Sequence, residues 1–164
     1  KYLQFMNTAY LLTGGNMGDR LKHLQQAAEF IQQKCGKIVA RSSIYETEAW
    51  GKTDQPAFLN QALQVETYLS PDLLMQTLLD IENTMGRIRT IKMGPRIIDL
   101  DVLLMGDLVQ TSQLLTIPHP ALPFRKFALL PLAEIAPQLL HPLEKKSILE
   151  LLEICPDTLN VQKK

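Results

Sequence analysis

The sequence lacks the features that mark several large classes of protein. It has 2 cysteines and 1 tryptophan in 164 residues. Because Cys35 and Cys155 stand in no metal-binding or redox spacing, we expect unreactive thiols in a reducing compartment. No apolar run reaches the roughly 20 residues of a membrane span, and no signal peptide opens the chain. We therefore predict a cytoplasmic protein with no membrane partner.

The sequence also has no excess of charge of either sign, since 17 basic residues balance 17 acidic ones. A general electrostatic attraction to nucleic acid is therefore not expected, and charge-driven binding must be local. Hydrophobic residues make up 46% of the chain and charged residues 21%, which is typical of a globular domain. We predict one domain over 6–164, a monomer, with 1–5 as an N-terminal extension.

The spacing of apolar residues predicts alternating strands and helices. The predicted elements are a strand over 8–13, a helix over 19–35, strands over 37–45 and 58–68, a helix from 70 to about 85, and a strand over 97–105. This order is the βαββαβ pattern of a ferredoxin-like α+β sandwich, with an antiparallel sheet and both helices on one face. As C-terminal additions we expect a short strand near 108–110, a proline-rich segment over 118–142 and a helix near 147–155.

Two aspartates on the last predicted strand are the strongest candidates for chemistry. Asp99 and Asp101 stand at i and i+2, so their carboxylates project from the same side, away from the core. Such a pair of like charges favours a bound cation, and Mg²⁺ takes oxygen ligands from one or two carboxylates plus substrate phosphates. A solvated strand face is the alternative for an isolated pair of this kind.

A cluster of cations directly precedes these aspartates. Arg87, Arg89, Lys92 and Arg96 lie within ten residues of one another, and guanidinium groups match phosphate oxygens. The combination favours phosphoryl transfer, although a basic loop paired with nearby acids is the alternative. His119 and Arg125 follow on a rigid proline-containing segment and are further candidates for phosphate contact.

Aromatic and polar residues share the segment 45–60. Trp50 and Phe58, with Thr47 and Asn60 beside them, could form a flat slot for a heterocycle. The residues alone leave open a second interpretation, in which Phe58 is core and Trp50 covers a surface loop. Gly14-Gly15-Asn16 is interpreted as a tight turn, because it has neither a Walker lysine nor a GxGxxG pattern.

Together these segments resemble the 6-hydroxymethyl-7,8-dihydropterin pyrophosphokinases of folate biosynthesis. The resemblance covers about residues 9–137. It is carried by GRIRTIKMGPRIIDLDVLLMG (86–106), PHPALPFRKFALLPLAEIAP (118–137) and YETEAWGKTDQPAFLNQAL (45–63). The sequence departs from the family pattern at Gly15, at Met93 in a shortened arginine-rich loop, and at Leu114.

The resemblance implies a ferredoxin-like core and transfer of pyrophosphate from ATP to the hydroxymethyl group of the dihydropterin. Asp99 and Asp101 would bind two Mg²⁺ ions that bridge ATP, and with Arg87 and Arg96 they would be the catalytic residues. The implied ATP contacts are Gln76, Glu82, Arg87, Arg89, Arg96, Thr116, His119 and Arg125. The implied pterin site has Phe58 and Phe127 stacking on the ring, Thr47, Asn60 and Asp99 at its polar edge, and Trp50 as a cover.

Two other functions compete with this interpretation. A nucleotidyl or cyclase-type transferase also uses paired carboxylates on a ferredoxin-like sheet, but it releases pyrophosphate instead of AMP. An RNA-recognition or ligand-sensing module would need stacking aromatics on its strands, and the RNP signature is missing. We also predict that 87–95 is a mobile lid that orders when nucleotide and pterin are both bound.

Overall fold

The structure is a computed structural model that describes residues 2–48, 55–88 and 94–164. Within these ranges the strands are β1 (Tyr2–Gly15), β2 (Lys37–Arg41), β3 (Tyr45–Thr47), β4 (Phe58–Leu69), β5 (Asp99–Met105), β6 (Gln110–Thr111), β7 (Thr116–Ile117) and β8 (Val161–Lys163). The helices are α1 (Arg20–Lys34), α2 (Pro71–Thr84), α3 (Lys126–Ile135) and α4 (Ile148–Ile154), with a 3₁₀ turn at Leu122–Phe124. None of the described helices is long and apolar enough to cross a membrane.

The main sheet is antiparallel, and its strand order is β5-β1-β4-β3-β8, with β2 also pairing with β4. β6 and β7 form a separate hairpin. In the βαββαβ unit formed by β1 to β5 with α1 and α2, β1 and β4 are central, while β5 and the β2–β3 segment flank them. This is the ferredoxin-like arrangement, so the predicted fold class is confirmed.

The helices cover both faces of the sheet. α1 and α2 pack on one face, where Leu24, Ile31, Leu74 and Leu78 join a core with Leu11 and other strand residues. α3 and α4 pack on the opposite face, in a second core that includes Tyr10, Leu12, Leu129, Leu132 and Leu151. The prediction that both helices of the βαββαβ unit lie on one face of the sheet is confirmed for α1 and α2.

The predicted helix ends agree with the structure because local capping chemistry sets them. Asp19, Ser70 and Ser147 are N-caps, and each side chain accepts a hydrogen bond from a backbone N–H in the first turn. Pro71 occupies the first turn of α2, where its missing N–H leaves no helical hydrogen bond unmade. Ser147 and Glu150 form a capping box at α4.

Several predicted boundaries were wrong. The strand over 37–45 is two strands, because the chain leaves the sheet at Ser42, whose hydroxyl accepts the Ala62 N–H that a continuous ladder would bind. Gly14 and Gly15 belong to β1 and form no tight turn. The first predicted strand is longer than expected, since β1 begins at Tyr2, which pairs with Leu69.

The proline-rich segment contains a helix that the sequence did not predict. α3 includes Pro131, a residue that disfavours helix interiors. Pro131 is buried together with Leu129 and Leu132, so tertiary packing overrides the local preference. The strand predicted near 108–110 begins two residues later, at Gln110, because it pairs with β7, and β8 was not predicted.

Candidate functional site

Alternation along four strands builds the floor of a pocket on the α3 face of the sheet. Residues at i and i+2 face the same side of a strand, and register pairs face that side together. Gly14 pairs with both Asn60 and Asp99, Leu12 pairs with Asp101, and Thr47 pairs with Phe58. All of these residues line the pocket: Leu12, Gly14, Thr47, Phe58, Asn60, Asp99 and Asp101.

The opposite wall comes from the start of α3 and the residue before it. Arg125 and Phe127 line the pocket from this side, Arg96 and Glu48 complete it, and the cavity volume is about 240 Å³. Guanidinium groups lie over both rings, Arg96 at 5.0 Å from the centre of Phe58 and Arg125 at 5.6 Å from that of Phe127. The pocket therefore joins aromatic surface to positive and negative charge.

Asp99 is held by two arginines. Its Oδ1 accepts from Arg87 Nη1 at 2.7 Å, and its Oδ2 accepts from Arg96 Nη1 at 3.0 Å. Burial tends to raise the pKa of Asp99, but Arg87 and then Arg96 outweigh it and hold the pKa below its ordinary value. Arg87 also donates to Glu82 at 3.1 Å, and Glu82 accepts the Leu100 N–H at 2.7 Å. Asp99 is therefore an ionised carboxylate on a cross-linked support.

Asp101 lies in a different electrostatic environment. Burial, the neighbouring charge of Asp99 and the charge of Glu82 raise the pKa of Asp101 to about 7, against Arg125 and Arg87. No ion pair joins Asp101 to another described residue. The carboxylate pair therefore has less positive charge around it than full ionisation requires, which is the condition that favours a bound cation.

The aromatic half of the pocket is the part lined by Thr47, Phe58, Asn60 and Phe127. It contains a hydroxyl that lacks a hydrogen-bond partner among the described residues. Thr47 Oγ1 is buried and makes no hydrogen bond with the described residues, although Thr47 lines the pocket. Asn60 Nδ2 donates to the Thr13 carbonyl at 3.3 Å. Its side chain crosses over Gly14, where a Cβ would lie 2.1 Å from Nδ2. A ligand with a hydrogen-bonding edge would satisfy Thr47.

His119 is half-buried beside the charged half of the pocket, which is the part lined by Arg96, Asp99, Asp101 and Arg125. Its Nδ1 accepts the Ala121 N–H at 3.1 Å, so in the neutral ring the proton is on Nε2. Burial and the charge of Arg125 lower the pKa of His119, against the charge of Asp99. A neutral His119 presents Nε2–H as a hydrogen-bond donor.

Asn16 forms hydrogen bonds to two segments of the site, one beside Phe58 and one that carries Arg96. It is 1% exposed; its Oδ1 accepts the Arg96 N–H at 2.8 Å, and its Nδ2 donates to the Pro56 carbonyl at 3.0 Å. These bonds hold the chain just before Phe58 against the chain that carries Arg96. The sequence indicated only a turn at Asn16.

Most of the candidate residues from the sequence lie together. The pocket is lined by Thr47, Phe58, Asn60, Arg96, Asp99, Asp101, Arg125 and Phe127, while Arg87 and Glu82 support Asp99. Gln76 lies on the exposed side of α2 and donates to Asp80, and Thr116 lies on β7; neither lines the pocket. Trp50, Arg89 and the central part of the predicted lid, 89–93, fall outside the described residues.

Three lining residues were not predicted: Leu12, Gly14 and Glu48. Gly14 and Leu12 enter the site through strand register, which a single sequence does not give. Glu48 could have been noticed, since it adjoins Thr47 in the segment already singled out.

Comparisons with a family model and with individual proteins identify the same family. A model of the family "7,8-dihydro-6-hydroxymethylpterin-pyrophosphokinase (HPPK)" matches residues 10–137. The 2-amino-4-hydroxy-6-hydroxymethyldihydropteridine pyrophosphokinase of Methylorubrum extorquens is 44% identical over 82% of this chain and 85% of its own length. That of Bacillus subtilis is 44% identical over 80% of each chain.

Longer proteins also match. The chain is 42% identical to the folic acid synthesis protein fol1 of Schizosaccharomyces pombe over 90% of its length, but it spans only 20% of that protein. A crystal structure of Plasmodium falciparum HPPK-DHPS has a TM-score of 0.70 at 17% identity, covering 91% of this chain and 43% of that one. A second HPPK-DHPS structure, in complex with substrates, has a TM-score of 0.73 at 16% identity with the same coverage. At this identity the structures show a shared fold.

Proposed function

The chain belongs to the 7,8-dihydro-6-hydroxymethylpterin-pyrophosphokinase family, and on this premise we propose that its pocket binds a pterin ring and the triphosphate of ATP side by side. It is an enzyme that transfers pyrophosphate from ATP to 6-hydroxymethyl-7,8-dihydropterin in folate synthesis.

One observation carries the assignment of substrates to the two halves. Across the sheet order β5-β1-β4-β3, carboxylates on β5 give way to an aromatic and amide surface on β4 and β3. A triphosphate suits the first half, where Arg96 and Arg125 supply guanidinium groups. A flat heterocycle suits the second half, between Phe58 and Phe127, with Thr47 and Asn60 at its polar edge. The buried Thr47 hydroxyl supports this orientation.

The carboxylate pair fits Mg²⁺. Asp99 and Asp101 offer oxygen ligands on one strand face, and Mg²⁺ commonly binds one or two carboxylates with phosphate and water completing its shell. No group of three or more His, Cys, Asp or Glu side chains in the described ranges forms a metal site, so the remaining ligands would come from substrate and water. When bound, the ion would neutralise phosphate charge.

The side chains of the pocket position the two substrates and neutralise the charge of the phosphates. In the reaction the hydroxymethyl oxygen attacks the β-phosphorus of ATP and its proton is lost to solvent. The bond from that phosphorus to the oxygen that bridges to the α-phosphate breaks, and AMP leaves with the electron pair. Arg96 and Arg125 would balance the charge that shifts toward the leaving group. Glu82 and Arg87 hold Asp99 in place from below, which keeps the charged half preorganised before substrate arrives.

Separate binding measurements test this division. Phe58→Ala and Phe127→Ala should weaken pterin binding by about 1–3 kcal/mol, the scale of a lost stacking surface, with a much smaller change for ATP. Asp101→Asn should weaken Mg²⁺-dependent ATP binding and leave pterin binding intact. Phe124→Ala is the matched control, since Phe124 is 58% exposed and does not line the pocket. Equal losses of both ligands in calorimetry would show that the rings serve the core instead.

A further inference from the structure

A three-bond tie joins α3 to the segment that leads into β3. Tyr45 Oη donates to Glu134 Oε1 at 2.5 Å. Ser43 donates to Glu134 Oε2 through both its backbone N–H, at 2.8 Å, and its hydroxyl, at 3.0 Å. The tie is long-range, since Tyr45 and Glu134 are 89 residues apart along the chain.

The tie is a charge-assisted interaction between a buried tyrosine and an exposed carboxylate. Tyr45 is 4% exposed, and burial together with the bond to Glu134 raises the pKa of Tyr45 to about 12. Burial tends to raise the pKa of Glu134, but the bonds from Tyr45 and Ser43 outweigh it and lower that pKa. Glu134 is therefore an ionised acceptor for a neutral hydroxyl, and such bonds are stronger than neutral ones.

Both ends of the tie lie next to the aromatic half of the pocket. Tyr45 pairs in register with Asn60 and stands two residues before Thr47, so the three side chains share the α3 face of the sheet. Glu134 is seven residues, about two helical turns, after Phe127 on α3, so both project from one side of the helix. The tie thus bridges sheet and helix two turns from the ring.

No other described contact of α3 with the sheet has comparable directionality close to the slot. Leu129 and Leu132 pack with Tyr10 and Leu12 through apolar surface, which is not directional. The start of α3 is held from outside the sheet, where Asp157 accepts the Lys126 N–H at 3.0 Å. The hydrogen bond between Tyr45 and Glu134 is therefore a directional contact between helix and sheet on this side of the pocket.

We propose that the tie formed by Tyr45, Ser43 and Glu134 sets the width of the slot between Phe58 and Phe127. Tyr45 and Glu134 are then positioning residues for the pterin ring, acting through Phe127 without touching the substrate. The inference rests on the proposed function, because it assumes that a flat ring enters this slot. Loosening the tie lets α3 move away from the sheet, and the ring loses stacking contact on one face. The triphosphate half, centred on β5, is affected less.

Single-atom variants test the proposal. Tyr45→Phe removes only the hydroxyl, and Glu134→Gln removes the charge while keeping the shape. We expect each to raise the KM and the Kd for the pterin about tenfold, since a hydrogen bond to a charged group is lost, while KM for ATP and kcat stay within about twofold. The double variant should be no worse than the worse single variant, because both remove one interaction.

Matched controls carry the same chemical changes elsewhere. Tyr68→Phe alters a 55% exposed tyrosine on β4, and Glu153→Gln alters an exposed glutamate on α4; neither should change pterin binding. Unchanged pterin affinity in both Tyr45→Phe and Glu134→Gln overturns the proposal, as does a fall in kcat with both KM values unchanged, which indicates a structural role only. Absence of pterin binding in the unmodified enzyme would instead overturn the proposed function.

Discussion

Two adjacent glycines, Gly14 and Gly15, are required for different reasons. A Cβ at Gly14 would lie 2.1 Å from Asn60 Nδ2, the end of a side chain in the pocket, and 3.0 Å from the Leu59 carbonyl oxygen. A Cβ at Gly15 would lie 2.3 Å from the Ile97 carbonyl oxygen, which is backbone. A side chain can rotate away, but a backbone carbonyl moves only if the chain around it shifts. The first glycine therefore serves binding and the second serves folding.

Gly14→Ala should weaken pterin binding by about tenfold or more, with a smaller loss of stability than Gly15→Ala causes. The new methyl group displaces the Asn60 carboxamide from its place over β1, and a displaced polar contact to a buried ligand corresponds to about 1–3 kcal/mol. Calorimetric titration with the pterin, together with thermal unfolding, checks both parts of the expectation.

Gly15→Ala provides the contrast, with the same methyl group one residue later. It should lower the unfolding temperature clearly, because the Ile97 carbonyl must move. Wild-type pterin affinity in Gly14→Ala, or similar losses of stability in both variants, would contradict this division of roles.

Residues whose role depends on their own sequence neighbourhood could be predicted from the sequence, whereas residues placed by strand register could not. The spacing of Asp99 and Asp101 places both carboxylates on one strand face, and the structure has them in one pocket with Phe58. Gly14 was interpreted as a turn residue, because nothing within its own segment indicates that Asn60 and Asp99 flank it.

Between α3 and α4, a histidine organises the connecting loop. His141 is 3% exposed, and its Nδ1 accepts the N–H groups of Leu143 and Glu144 at 3.2 and 3.0 Å. Its Nε2 is buried without a hydrogen-bond partner among the described residues. Burial lowers the pKa of His141, against the opposing charge of Glu144. The folded protein therefore holds this ring neutral.

The pKa shift of His141 predicts a pH-dependent stability. The unfolded chain binds the proton first as the pH falls through the ordinary histidine pKa of 6.5, so the free energy of unfolding decreases with falling pH in that range. The slope from one such group is at most about 1.4 kcal/mol per pH unit. His141→Asn keeps an acceptor for the loop N–H groups but cannot titrate. Urea unfolding from pH 8 to pH 5.5 should therefore show a flatter profile in the variant, and parallel profiles would contradict the assignment.

α3 is the helix that could not be predicted from the sequence. Proline at position 131 and neighbouring prolines argue for irregular chain by local propensity. The helix forms because Leu129, Pro131 and Leu132 are buried against the sheet, a contact between segments far apart in sequence. By contrast, the ends of α1, α2 and α4 were predictable, since Asp19, Ser70 and Ser147 set them through bonds within one turn.

For the whole molecule, the site arises from the way one sheet is covered on both faces. α1 and α2 close the first face with an apolar core, whereas α3 covers only part of the second. The uncovered part, next to the first residues of α3, is the pocket. The order of strands and helices predicted the first layer. The second layer follows the βαββαβ unit in sequence and depends on long-range packing, so only its last helix was foreseen.

The identity of the nucleotide product tests the transfer of pyrophosphate from ATP directly. The enzyme should be incubated with ATP, Mg²⁺ and 6-hydroxymethyl-7,8-dihydropterin, and the products separated by chromatography, with the pterin omitted in a parallel reaction. We expect AMP and the pterin diphosphate in equal amounts, formed only when the pterin is present, and strongly reduced formation in Asp101→Asn. Release of inorganic pyrophosphate with an adenylylated or cyclic product would contradict this mechanism. That outcome requires attack at the α-phosphorus, which breaks the bond from the α-phosphorus to the bridging oxygen and makes pyrophosphate the leaving group.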